Sequence, residues 1–180
     1  MQSYIEQVYV RLLGLGLIII VFAITGFSLN MFRKMNDFDG DGKTDFAVTR
    51  REGNSKIWYV WQSRDGFKAF QWGVSSDLNA TGDYDGDGKT DIAVFRPVNF
   101  PPLIHYFWIW NSGSNNFTQV GFENVIPAIA PMQRDYNGDG ITDLAVWRPG
   151  TDQAYYWVKG SQNGTSVVAW GLSTDTIVQP

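Results

Sequence analysis

The chain contains no cysteine, so disulfide cross-links and thiolate metal centres are both excluded. Histidine is nearly as scarce. The single one, His105, enters an aromatic stretch, which suits packing better than general-base work. No Gly-x-Ser-x-Gly nucleophile motif occurs. The acids scattered through the body of the chain (Glu52, Asp65, Asp77, Glu123, Asp152 and Asp175) show no spacing that singles out a hydrolytic pair. Basic residues form no stripe, so no nucleic-acid partner is expected. These absences together argue against an enzyme.

What the sequence does have is aspartate in one arrangement, written at residues 37–45, 83–91 and 135–143. Each copy reads Asp-x-Asp-Gly-Asp-Gly-x-Thr-Asp, with Asn137 replacing the second aspartate in the last. Oxygen-bearing side chains fall at the first, third, fifth and ninth positions, and glycines at the fourth and sixth let the backbone turn sharply with no Cβ in the way. So many carboxylates would repel one another in an empty loop. A hard cation such as Ca²⁺, which takes about six to eight oxygens, relieves that repulsion. The expected ligands are Asp37, Asp39, Asp41 and Asp45; Asp83, Asp85, Asp87 and Asp91; and Asp135, Asn137, Asp139 and Asp143. The backbone carbonyls of Lys43, Lys89 and Ile141 are expected to add one oxygen each. One Ca²⁺ per loop means about three per chain.

A plain Asp-Gly surface turn would account for one such copy, but not for three at matching offsets. An EF-hand shares the first, third and fifth acids and the glycine at six, yet needs a bidentate acid at twelve between flanking helices. Here the twelfth residues are Val48, Val94 and Val146, and strand-like sequence follows. Most of the eighteen acids belong to these loops, so filling them with divalent ions would reverse the sign of the formal net charge of -4. Without disulfides, metal would take over as the staple.

These segments resemble the FG-GAP/VCBS-type calcium repeats of bacterial surface proteins, related to the loops of the integrin α-subunit propeller. The resemblance covers roughly residues 32–180. It is carried by the aspartate loops with their trailing Ala-Val, by Arg96-Pro97 and Arg148-Pro149, and by Trp72-Gly73 and Trp170-Gly171. Two departures stand out: Arg50-Arg51 replaces Arg-Pro in the first copy, and Gly121-Phe122 lies near the place of Trp-Gly in the second. The resemblance implies that the ninth-position acids Asp45, Asp91 and Asp143 close the sites.

Residues 12–32 carry no charge and are long enough to span a bilayer. A cleaved signal peptide and a retained hydrophobic membrane or assembly helix over residues 1–31 both fit, since Glu6 offsets Arg11 and the flanking charges give no clean orientation. Either places the remainder outside the cell or at its surface, with the membrane reached only through this segment.

From residue 32 the pattern repeats with periods of about 46 and 52 residues, the mark of a solenoid, propeller or array. Units are expected over residues 32–73, 78–122 and 128–172, with a further strand over 173–180. After each loop the runs Phe46-Ala47-Val48, Ile92-Ala93-Val94-Phe95 and Leu144-Ala145-Val146-Trp147 do not alternate, which predicts strands covered on both faces. Second strands are expected at 57–61, 106–110 and 155–158, and third strands at 67–72, 117–122 and 166–170. With a short leading strand before each loop, the fold class is all-β: three four-stranded propeller-blade-like repeats behind one hydrophobic helix.

The function these features imply is a non-enzymatic extracellular calcium-binding repeat module acting in adhesion, with a protein or glycan at the cell surface as partner. The alternative is a structural subunit of a surface assembly or filament. Three blades leave open faces and edges, so a homo-oligomer is expected, two copies supplying six blades through exchange of the C-terminal strand.

Overall fold

The computed structural model describes residues 36–98, 104–123, 130–162 and 164–178. Three antiparallel sheets follow one another along the chain. The first contains β1 (Phe46–Glu52), β2 (Ser55–Gln62) and β3 (Gly66–Val74). The second runs in order β4 (Leu78–Asn79), β5 (Ile92–Arg96), β6 (Ile104–Asn111) and β7 (Asn116–Glu123). The third repeats that order with β8 (Ala130–Pro131), β9 (Leu144–Pro149), β10 (Gln153–Gly160) and β11 (Gly164–Leu172). Each aspartate loop lies immediately before the strand that starts the long meander.

Strand formation follows from side-chain type and period. The middle strands β2 and β6 alternate buried and half-buried residues, Trp58 and Val60 in one and Phe107 and Ile109 in the other pointing to the same relative face. Short turns join the meander: Gly53 (φ 59°) and Asn54 link β1 to β2, with Glu52 opposite Ser55.

The core lies between sheets. Phe38, Trp58 and Val60 of the first unit pack with Ile92 and Val94 of the second, flanked by Trp72, Trp108 and Trp110. Ala93, Phe95, Phe107, Ile109 and Phe122 of the second pack with Leu144 and Val146 of the third. Successive residues of β5 therefore serve opposite interfaces, and this is why its apolar run does not alternate. Phe95, Phe107, Val94 and Val146 are fully buried. At about 25 cal/mol per Å² of apolar surface, such rings and branched chains supply the main favourable free energy of folding.

The first unit departs from expectation. Phe46 and Val48 are 80% and 64% exposed, because no sheet among the described residues covers that face of β1. Its sheet has three strands among the described residues, and of the stretch before its loop, where the short leading strand is expected, only Asn36 is described. The hydrophobic segment 1–31 also lies outside the described residues, among which no helix is long and apolar enough to cross a membrane. Residues 173–178 form no strand; Ile177 packs beside Met132, Ala145 and Val158 on the outer face of the third sheet.

Candidate metal centres

The three loops are built alike. All six glycines at the fourth and sixth positions have positive φ, from 74° at Gly40 to 88° at Gly88. This conformation costs a residue with a Cβ free energy and costs glycine almost none. It lets one carboxylate collect two amides: Asp37 accepts from Gly40 N (2.7 Å) and Gly42 N (2.8 Å), and Asp83 from Gly86 N (2.7 Å) and Gly88 N (2.9 Å). Asp135 accepts from Gly138 N (2.6 Å) and Gly140 N (2.8 Å).

The ninth-position acids join each loop to a distant turn. Asp45 accepts from Phe38 N and from Ser63 N, at 2.8 and 2.7 Å. Asp91 does the same with Tyr84 N and Ser112 N, and Asp143 with Tyr136 N and Ser161 N. All three acids are buried, Asp91 at 0% exposure. The serines follow the second strand of each unit, and their hydroxyls donate to the fifth-position acids Asp41, Asp87 and Asp139. Sequence reading overlooked Ser63, Ser112 and Ser161. A serine after every second strand was the available signal.

In the first two loops three carboxylates bring ligand oxygens within 4.8 Å of one another: Asp37, Asp39 and Asp45, then Asp83, Asp85 and Asp91. The fifth-position acids are not part of these groups. Asp41 instead takes the Lys43 N–H and ammonium as well as the Ser63 hydroxyl, and that hydroxyl chiefly brings its carboxyl down to about 2. Asp91 moves the other way. Burial pushes its carboxyl up to about 6, with the negative charge of Asp85 adding to the effect against the bonds from Ser112 and Tyr84.

In the third loop Asn137 directs its amide nitrogen to Asp143 (3.3 Å) and Ser161 (3.3 Å) while its oxygen accepts from Asp139 N (2.8 Å). A neutral amide thus stands where the other loops have a third converging carboxylate. Lys43, Lys89 and Ile141 donate backbone N–H groups to the fifth-position acids. The side chains of Lys89 and Ile141 lie over Gly40 and Gly86 of the preceding loop.

Closely grouped, partly buried acids with all-oxygen chemistry fit a hard divalent cation. Residues 37–94 match the family model of the FG-GAP-like repeat. This stretch is an FG-GAP-like repeat. The matched FG-GAP stretch takes in the first two loops, the whole first sheet and the start of the second. No match was found among curated proteins or solved structures.

His105 is packed into the second sheet. It is 5% exposed, its Nδ1 accepts from Val98 N at 2.9 Å, and its ring lies 6.0 Å from that of Phe95. Asp77 is held by both nitrogens of an Arg96 fork at 2.8 Å.

Proposed function

We propose that this non-enzymatic repeat module binds Ca²⁺ in its aspartate loops and works outside the cell, engaging a protein or glycan at the cell surface. The observation that carries the metal reading is the convergence of Asp37, Asp39 and Asp45, all buried, and of Asp83, Asp85 and the buried Asp91, each group within 4.8 Å. Like charges so close cost free energy unless a cation or protons offset them; the Asp91 carboxyl is raised chiefly by burial, and the charge of Asp85 adds to it. Asp135, Asn137, Asp139 and Asp143 would form a third, less charged site. Metal bound there would brace each loop against the turn that carries Ser63, Ser112 or Ser161. Isothermal calorimetry with Ca²⁺ on chelator-treated protein tests this; an absence of binding heat at millimolar Ca²⁺ overturns it.

A second reading, a structural subunit of a surface assembly, is favoured by the open apolar face of the first sheet. Phe46, Val48, Trp61 and Phe67 are all more than half exposed there. A glycan array on the purified protein separates the readings: selective glycan binding supports the first, and its absence alongside ordered assemblies in electron micrographs supports the second.

A further inference from the structure

The second reading can be taken to a defined surface, because the two ends of the row of sheets carry the two halves of a contact that is already made once inside the chain. At the junction of the first and second sheets, Trp72 inserts into an aromatic socket on the face of the second. Its ring meets Trp110 edge-on at 5.4 Å and Phe117 at 6.2 Å, and its Nε1 donates to the Trp108 carbonyl at 3.1 Å. Beside it, Arg96 of β5 lies over the Trp108 ring and grips Asp77, which follows β3.

The first sheet presents the same socket, which no described residue fills. The strand register equates Phe46, Arg50, Tyr59, Trp61 and Phe67 with Ile92, Arg96, Trp108, Trp110 and Phe117. The geometry repeats with the sequence. Tyr59 and Phe67 stack at 6.3 Å, as Trp108 and Phe117 do, and Arg50 lies 4.7 Å over the Tyr59 ring as Arg96 lies 5.4 Å over that of Trp108. Trp61 and Phe67 are 61% and 57% exposed.

The third sheet presents the matching knob. Trp170 precedes a positive-φ glycine at a register break, as Trp72 does, and is 73% exposed. The following turn is also the same: Asp175 accepts from Leu172 N at 2.8 Å as Asp77 accepts from Val74 N at 2.8 Å. Asp77 is buried under its arginine, whereas Asp175 is exposed. Arg50, besides lying over the Tyr59 ring, makes a 3.8 Å contact with Glu52 and a 3.4 Å bond to Tyr59 Oη, and no bidentate pair among the described residues.

From this pairing of an open socket and an exposed arginine with an exposed tryptophan and an exposed aspartate, we propose that two copies of the chain associate head to tail. Trp170 of one copy fills the socket of Tyr59, Trp61 and Phe67 on the other, and Arg50 takes Asp175 in the manner of Arg96 and Asp77. The contact is heterologous, so it continues into a ring or a filament according to the angle between copies. It requires no strand exchange and does not depend on what fills the aspartate loops.

The test uses the full chain in detergent with Ca²⁺ present, its mass followed by sedimentation over a concentration series. The parent is expected to associate. Trp170→Ala, Arg50→Asp and Asp175→Arg should each weaken association at least tenfold, while the double variant Arg50→Asp/Asp175→Arg recovers most of the loss. All of these positions are exposed, and unchanged melting temperatures will show that the variants fold. A parent that stays monomeric at tens of micromolar overturns the proposal. So do single variants that associate like the parent, which would place assembly on another surface, and a double variant no better than the singles. Loss of Ca²⁺ binding is read separately by calorimetry and leaves this outcome unaffected.

Discussion

The backbone N–H of Thr90 in the second aspartate loop donates to the carbonyl of Asp37 in the first, 2.7 Å away. Thr142 repeats the bond with the carbonyl of Asp83 at 2.7 Å, and its hydroxyl accepts from Asp83 N at 2.9 Å. The loops are therefore strung together by backbone. The eighth residues of the second and third loops each hold the first residue of the loop before, and the side chains of Lys89 and Ile141 cover glycines at the junctions. Ordering one loop positions its neighbour, so metal bound at one site would be linked to packing at the next.

Removing metal should therefore loosen the whole row. A ligand that binds only the folded state adds RT ln(1 + [L]/Kd), about 2.7 kcal/mol per site at one hundred times Kd. Thermal melts with excess Ca²⁺ and with chelator are expected to differ by at least ten degrees. Superimposable melts would show that the loops are not metal staples.

Among the ligands, the ninth-position acids should be the costliest to lose. Asp91→Asn keeps the shape but leaves Tyr84 N or Ser112 N facing an amide nitrogen, a loss of about 1–3 kcal/mol for a buried unsatisfied group. In chelator, removal of a buried charge offsets part of that cost, so the melting temperature should move by only a few degrees. In Ca²⁺ the drop should be larger, and calorimetry should find the second site at least tenfold weaker. Equal affinity in parent and variant would remove Asp91 from the ligand set.

The third loop should be the weakest. It has Asn137 in place of a converging carboxylate, and no three-acid group forms there among the described residues. Calorimetry is expected to resolve two tight sites and one weak one. Asn137→Asp should tighten the weak site about tenfold or more, since ligand charge sets affinity in all-oxygen sites. Three indistinguishable sites in the parent would contradict this ranking.

Acidity should act in opposite directions with and without metal. The Asp91 carboxyl is raised to about 6 in the folded chain, above its unfolded value. Its contribution to stability is therefore fully present below about pH 4 and lost as pH rises through about 6. In chelator, the parent should lose stability over that window relative to Asp91→Asn. With Ca²⁺ the dependence reverses, because the ion must displace the proton and binds more tightly as pH rises. Urea denaturation of both proteins between pH 4 and 7 measures the difference; parallel profiles in chelator would contradict it.

The aspartate loops, the three-unit repeat and the strand positions were legible in the sequence because each is set by neighbours. Positive-φ glycines at fixed offsets shape each loop, and apolar period and turn residues mark the strands. The residues 92–95 could be read as a strand covered twice because β5 does lie between two sheets. The identical-looking run at 46–48 could not be distinguished from it. Whether an apolar run is covered depends on what packs against it, which no local pattern contains. The same limit hid the serines that tie Asp45, Asp91 and Asp143 to distant turns, and the match between Trp72 in its socket and Trp170 in the open. Sequence by itself determined which groups could bind and turn. The tertiary structure decided which faces met, because burial and hydrogen bonding across sheets join residues that the chain keeps far apart.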